Sequence, residues 1–342
     1  MSYRIPSQPL SLEELARRQQ NVVTAGQLRA RGVPSRVVTE HCRRGGPWQR
    51  MLPRVYLLQG GDPTPEQRMW AALLYAAQNG REDGGREGAV ITGAAALALY
   101  GFASVPRLPA VTGVDVLVPR QRRLKDAGAV RIRRTGRELV ARSVHGLACA
   151  PVARAVADAV REWTDAGAFE SGAVRPALLR AMLREAVSRA DDGCGLRELV
   201  GELREADLLG EPRVRAAVDE LLAAERESVF ARIGDLVDEW LLPVPLAGPE
   251  LRMRGGTYVA VPDLYWPGAA VAVAVDSDLR CVSEGEESWV RAEQHRMEFL
   301  GVRVVHVSGA RVAAEPDVVG GELREAFRAG GEDVVELLVT DR

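Results

Sequence analysis

The chain has 342 residues, 46% of them apolar and 27% charged, which suits two or three cores better than one. No apolar run approaches the roughly 18 residues a bilayer span requires, and the opening MSYRIPSQPL lacks the apolar stretch of a secretory signal, so the expectation is a cytoplasmic protein with no membrane association. The net charge of −2 is unevenly spread: residues 1–58 hold ten arginines against three glutamates, +7, and residues 107–142 hold nine arginines and Lys125 against three acids, again +7. Such asymmetry points to nucleic acid, and arginine's planar fork suits both phosphate and guanine edges.

Taken in chain order, Ser11 precedes LEELARRQQ with Glu14 three residues on, the spacing of a capping box, so a first helix starts there. A short break at Asn21, Val22 and Val23 leads to Thr24, another cap candidate, and to a helix over AGQLRARG that Gly32 stops. Pro34-Ser35 opens a third helix through RVVTEHCRR, Gly45-Gly46-Pro47 ends it, and WQRMLPRVYLL alternates as a hairpin with Pro53 at its edge. Three short helices and a hairpin give the order of a winged helix-turn-helix over 1–60, whose third helix reads the major groove of duplex DNA. Ser35, Arg36 and Thr39 are the candidate base readers, and Arg43, Arg44, Arg50 and Arg54 the phosphate or wing contacts. Thr24, Gln27 and Gln49 complete the DNA-contacting set, while Trp48 and Tyr56 are assigned to packing.

The next segment, 61–160, reads as an α/β domain. Thr64-Pro65 opens a helix over PEQRMWAALLYAAQNG, NGREDGGREG is a charged loop, Thr92 or Gly93 begins the small-residue helix AAALALYGF, and VDVLVP is a strand. The arginines of RIRRTGR are expected on the following hairpin or loop, either extending a DNA footprint or forming a solvated face. Residues 161–222 read as a helical connector with a possible role in a homodimer, since many repressors read two half-sites. Over 223–342, ESVFARIGDLVDEWLLP is a helix, GTYVAVPDLYWPGAAVAVAVDSD gives two strands around a Trp-Pro-Gly turn, and ESWVRAEQHRMEFLGVRVVHVS is a helix running into a strand. The fold class is α/β in the sense of a multi-domain α+β protein.

The run VVTAGQLRARGVPSRVVTEHCRRGGPWQRMLPRVYLL resembles the N-terminal domain of AbiEi-type antitoxins of type IV toxin–antitoxin systems, through Thr24, Leu28, Gly32, Trp48, Val55 and Tyr56. Arg54 stands where that family commonly has glycine. AVITGAAALALYGF, VDVLVPR and APVARAVADAV resemble segments of the antitoxin-like second domain of the same group. The resemblance covers about residues 11–160 and implies promoter binding, repression and a cognate toxin as partner.

The last segment resembles the very-short-patch-repair-like endonucleases of the PD-(D/E)XK superfamily. In those a helical glutamate, the Asp of a Pro-Asp pair and an acidic strand pair hold a divalent metal that activates water. Glu227, Asp263 and Asp276 match three of these positions, but the fourth is Ala274, a methyl group in place of a carboxylate. Cys281 and His295 stand where the resemblance implies histidine and aspartate. The expectation is a catalytically degenerate nuclease-like domain with no catalytic residue, resident metal or cofactor, Asp263 and Asp276 retaining enough oxygen ligands for weak Mg²⁺ binding.

Two readings compete: a DNA-binding transcriptional regulator, and a metal-dependent endonuclease targeted by its winged helix. No Walker A loop, dinucleotide-binding GxGxxG, HExxH or GxSxG elbow is present. His41, His145, His295 and His306 lack ligand spacing, and Cys42, Cys149, Cys194 and Cys281 form neither a CxxC pair nor a disulfide framework.

Overall fold

The computed structural model describes residues 10–77, 88–189, 193–275, 284–330 and 336–340. Nearly all of the loop expected over NGREDGGREG lies outside them, as do Asp276 and Cys281. The chain forms two units of mixed α/β structure, Met1–Glu211 and Pro212–Arg342.

The first unit begins with α1 (Leu12–Arg18), β1 (Val22–Thr24), α2 (Ala25–Ala30), α3 (Ser35–His41), β2 (Gln49–Leu52) and β3 (Val55–Leu57). Local chemistry sets the helix starts. The Ser11 hydroxyl accepts from the Glu14 N–H at 3.2 Å while the Glu14 carboxylate accepts from the Ser11 N–H at 3.0 Å, and Thr24 and Gln27 repeat the exchange at 3.1 and 2.9 Å. Where the sequence suggests a break at Val22 and Val23 there is a strand: β1 pairs antiparallel with β3, Val22 opposite Leu57, giving a sheet of order β1-β3-β2. Three residues are too few to show a period, and the partner lies over thirty positions away. Leu15, Val23, Leu28 and Val38 form the small core, with Trp48 and Tyr56 packed against it.

A longer helix, α4 (Pro65–Ala76), is capped by Thr64 and joins this segment to a five-stranded sheet, touching β1–β3 on one side and the larger sheet on the other. The Gln67 side-chain amide, buried, donates to the Gln20 carbonyl at 3.0 Å. The larger sheet comprises β4 (Val90–Thr92), β5 (Val114–Pro119), β6 (Val130–Thr135), β7 (Arg142–Val144) and β8 (Leu147–Cys149) in the order β6-β5-β4-β8-β7, with β5/β6 and β4/β8 parallel. The alanines of α5 (Gly93–Leu99) and α6 (Val152–Asp165) let these helices approach closely, and α7 (Pro176–Ser188) and α8 (Leu196–Glu205) complete the unit. The RIRRT arginines lie on β6, not in a loop: Val130 and Ile132 are buried while Arg131 and Arg133 alternate outward, a period of two that the density of charge obscures.

The second unit opens with α9 (Pro212–Glu239), one continuous 28-residue helix where the sequence suggests two. No glycine or proline interrupts residues 214–233, so nothing stops propagation there. It continues through β9 (Leu246–Ala247), β10 (Glu250–Met253), β11 (Tyr258–Ala260), β12 (Leu264–Trp266), β13 (Val271–Val275), α10 (Glu284–Phe299), β14 (Arg303–Val307), α11 (Gly309–Ala314), α12 (Pro316–Ala329) and β15 (Leu337–Thr340). One sheet has the order β14-β13-β12-β9 and the other β11-β10-β15. Alternation along β13 feeds two cores: Val271, Val273 and Val275 pack with residues of α9 and α12, and Ala272 with Met297 of α10. A strand covered on both faces is apolar throughout, which accounts for the run VAVAV. Among the described residues no helix is long and apolar enough to cross a membrane.

Candidate functional site

The N-terminal segment presents a cationic face. Ser35 and Arg36 in the first turn of α3, Thr39 one turn on, Arg43 and Arg44 just past its end, Arg50 on β2 and Arg54 in the hairpin turn are all exposed. None of these five arginines forms an ion pair among the described residues, although arginines elsewhere in the unit do. A guanidinium costs little when solvated, so five left unpaired on one helix, the turn after it and the hairpin are available to an external polyanion. The hydroxyl of Thr39 donates to the Ser35 carbonyl at 3.0 Å, keeping its lone pairs free.

Arg54 sits at φ 63°, in the left-handed region that non-glycine residues avoid. Pro53 before it and the positive φ at Arg54 meet the requirement of a type II turn across a two-residue loop. Arg54 thus holds a cation at the hairpin tip at the cost of backbone strain.

Three of the expected DNA-contacting residues are used within the fold. Thr24 and Gln27 cap α2, and Gln27 also exchanges hydrogen bonds with Gln19 at 2.9 and 3.2 Å. Gln49 donates to the carbonyls of Gln59 and Gly61 at 3.2 and 2.6 Å. The His41 ring rests on Trp48, centroids 4.5 Å apart, and its Nδ1 is buried.

The arginines of β6 and of the segment just after it behave differently. Arg131 bonds the buried Asp115 at 2.7 Å and Glu162 at 2.5 Å, and Arg133 bonds Asp115 at 2.9 Å. Arg137 pairs with Glu202 and Glu205 of α8 at 2.6 and 2.8 Å, and Arg134 donates to the carbonyls of Arg122 and Leu124. Burial and the neighbouring Asp115 raise the Glu162 carboxyl above its ordinary range, opposed by Arg131. Arg131, Arg133 and Arg137 thus neutralise Asp115 of β5 and acids of α6 and α8, so their charge serves the fold, while Arg107, Arg120, Arg123, Lys125 and Arg142 of the same stretch are exposed and form no ion pair among the described residues.

No family model and no curated protein matches this chain.

In the second unit, Asp263 follows β11 at the mouth of β12, its side chain fully buried. It accepts from the Val275 N–H at 2.9 Å and is ion-paired with Arg226 of α9. Glu227, the next residue of that helix, is exposed. Ala274 is buried on β13, opposite His306 of β14, and Asp276 lies outside the described residues. The described residues do not fit a divalent cation: the Asp263 oxygens are engaged by a guanidinium and an amide, the neighbouring helical carboxylate faces water, and the strand position is a methyl group. Among the described residues no group of three His, Cys, Asp or Glu side chains stands close enough to ligate a metal.

By residue type Glu227 is the candidate ligand on α9, and its neighbour carries no such signal. Arg226 is the side chain that reaches Asp263, because helical phase and not residue type decides which of two adjacent positions faces the sheet. No sequence motif marks the cluster on α10, where buried Glu293 accepts from the Tyr258 hydroxyl, pushing that phenol upward with burial as the larger cause. Trp289, half exposed, stacks on Tyr258 with centroids 5.8 Å apart.

Proposed function

We propose that this protein is a sequence-specific double-stranded DNA-binding regulator, antitoxin-like, with residues 1–60 as a winged helix-turn-helix. The middle of the first unit would be the antitoxin-like α/β domain, and the second unit a restriction-endonuclease-like α/β domain whose hydrolytic site has degenerated. The observation carrying the reading is the set of five exposed arginines without ion pairs among the described residues on α3, just past its end and on the β2–β3 hairpin. In this reading Ser35, Arg36 and Thr39 meet base edges at the start of α3, and Arg43, Arg44, Arg50 and Arg54 clamp phosphates on either side. A homodimer reading two half-sites and a cognate toxin complete the list of partners.

The Arg226–Asp263 pair supports the non-hydrolytic part of the reading, since an internal guanidinium stands against the carboxylate that a nuclease would turn to metal. The test has two arms on the full-length chain. Selection of bound sequences from a random duplex library should yield a motif whose affinity falls steeply with salt. Incubation of plasmid with Mg²⁺ or Mn²⁺ should leave it intact. Cleavage that disappears in Asp263→Ala would refute the regulator reading in favour of the endonuclease, and failure to enrich any motif would refute sequence-specific binding.

A further inference from the structure

A cleft of about 460 Å³ opens in the first unit between the β2–β3 hairpin, α4 and the connections flanking β5. Met51, Leu52, Met69, Val111 and Val130 give it apolar walls, and Arg68 is the charged residue of its lining. We infer that this cleft binds a small amphipathic anion, an apolar or aromatic body bearing one carboxylate or sulfonate, and that its occupancy weakens DNA binding by the adjoining hairpin.

Four observations carry this. The volume falls within the roughly 300–1,000 Å³ of small-molecule sites, and apolar walls with one polar anchor are their usual composition. Pairing passes from Arg50 opposite Tyr56 to Leu52 opposite Val55, so Met51 is the extra residue of a β-bulge, a device that re-aims a side chain. Here it is aimed into the cleft. Met51 and Met69 supply polarisable thioethers that adapt to flat aromatic ligands. Arg68 is exposed, and its guanidinium makes no hydrogen bond or ion pair among the described residues, so it can anchor an anion whose body lies against the apolar walls.

The coupling rests on the proposed DNA-binding role of the hairpin. Met51 and Leu52 belong to the strand that carries Arg50 and leads to Arg54, and Arg68 shares their cleft. An anion held at Arg68 adds negative charge in a cleft lined by the strand that carries Arg50, and so subtracts from the field that attracts phosphate. By linkage, DNA weakens the anion's binding by the same factor.

The test uses 8-anilinonaphthalene-1-sulfonate as probe and its uncharged analogue N-phenyl-1-naphthylamine as control, titrated into the full-length protein. The sulfonate should bind saturably at one per chain. Ala129→Trp and Thr112→Trp, at exposed lining positions, should each weaken both probes at least tenfold while circular dichroism stays unchanged. Arg68→Gln should weaken the sulfonate about tenfold and leave the neutral probe unaltered. Saturating sulfonate should weaken DNA binding by at least threefold, and Ala129→Trp should abolish that effect. Unchanged probe affinity in both tryptophan variants overturns the site, equal losses of both probes in Arg68→Gln overturn the anion, and unaltered DNA affinity at saturation overturns the coupling. If the protein binds no DNA even without probe, the regulator reading fails and the probe titrations alone decide the cleft.

Discussion

Arg54→Gly separates the strain at the hairpin tip from the charge it holds. A left-handed backbone costs an L-residue about 1–2 kcal/mol, and glycine gives back about 0.5–1 kcal/mol through its greater freedom when unfolded, so the substitution should leave stability unchanged or raise it by up to about 1.5 kcal/mol. For a unit of this size that is an increase in Tm of up to roughly 6 °C. The same change removes one phosphate-facing cation, so the slope of log K against log salt should flatten by about 0.9. Between 50 and 200 mM salt the variant should therefore lose about 3.5-fold less affinity than the parent. Arg54→Ala is the companion: it keeps the positive φ and removes the charge, so it should show the flatter slope without the gain in Tm. Differential scanning fluorimetry and fluorescence anisotropy across a salt series read the two quantities. A glycine variant that melts well below the parent would contradict the strained turn, and an unchanged salt slope in both variants would remove Arg54 from the interface.

Other substitutions should sort by role. Replacing Arg43 and Arg44 together with alanine should weaken all sequences alike and flatten the salt slope by about 2, whereas Arg36→Ala should relax preference at one base pair by about 1–3 kcal/mol, both measurable by competition binding. Arg133→Ala should instead lower stability without altering the salt slope, because its charge is matched by Asp115. Removing Arg226 as Arg226→Met takes the guanidinium away from the buried Asp263 carboxylate and should cost roughly 3 kcal/mol in urea unfolding, the low end of the range because the guanidinium is itself a third exposed. Arg226→Met with Asp263→Asn should recover part of that loss. Burial pushes the Cys149 and Cys194 thiols to about 12 from 9.0, with Glu198 adding to the shift of Cys194. Because the folded values lie above the ordinary one, their contribution to stability is intact below about pH 9 and is lost as pH rises toward 12; both should resist alkylation at pH 8 until the protein unfolds.

The helix boundaries of the first unit were legible because they depend on neighbours in sequence. The capping pair Ser11–Glu14 lies three residues apart, Thr64-Pro65 opens α4, Gly32 and Gly45 supply the positive φ that follows α2 and α3, and the hairpin alternation is contained in eleven residues. The candidate cationic face was legible for the same reason, since exposure of Arg36, Arg43, Arg50 and Arg54 follows from their places on short elements with one apolar side. What tertiary structure alone decided is which charges are already spent. Arg36, Arg43, Arg44, Arg50 and Arg54 form no ion pair among the described residues, whereas Arg131, Arg133 and Arg137 of the second basic stretch are matched by Asp115, Glu162, Glu202 and Glu205, partners that lie 16 to 65 or more positions away along the chain. Likewise α9 offers Arg226 and Glu227 side by side, and only the phase of the helix against β12 and β13 sends the guanidinium, not the carboxylate, to Asp263. A hydrogen bond that closes a helix turn is encoded within four residues, whereas an ion pair across a sheet depends on packing angles that no local pattern specifies.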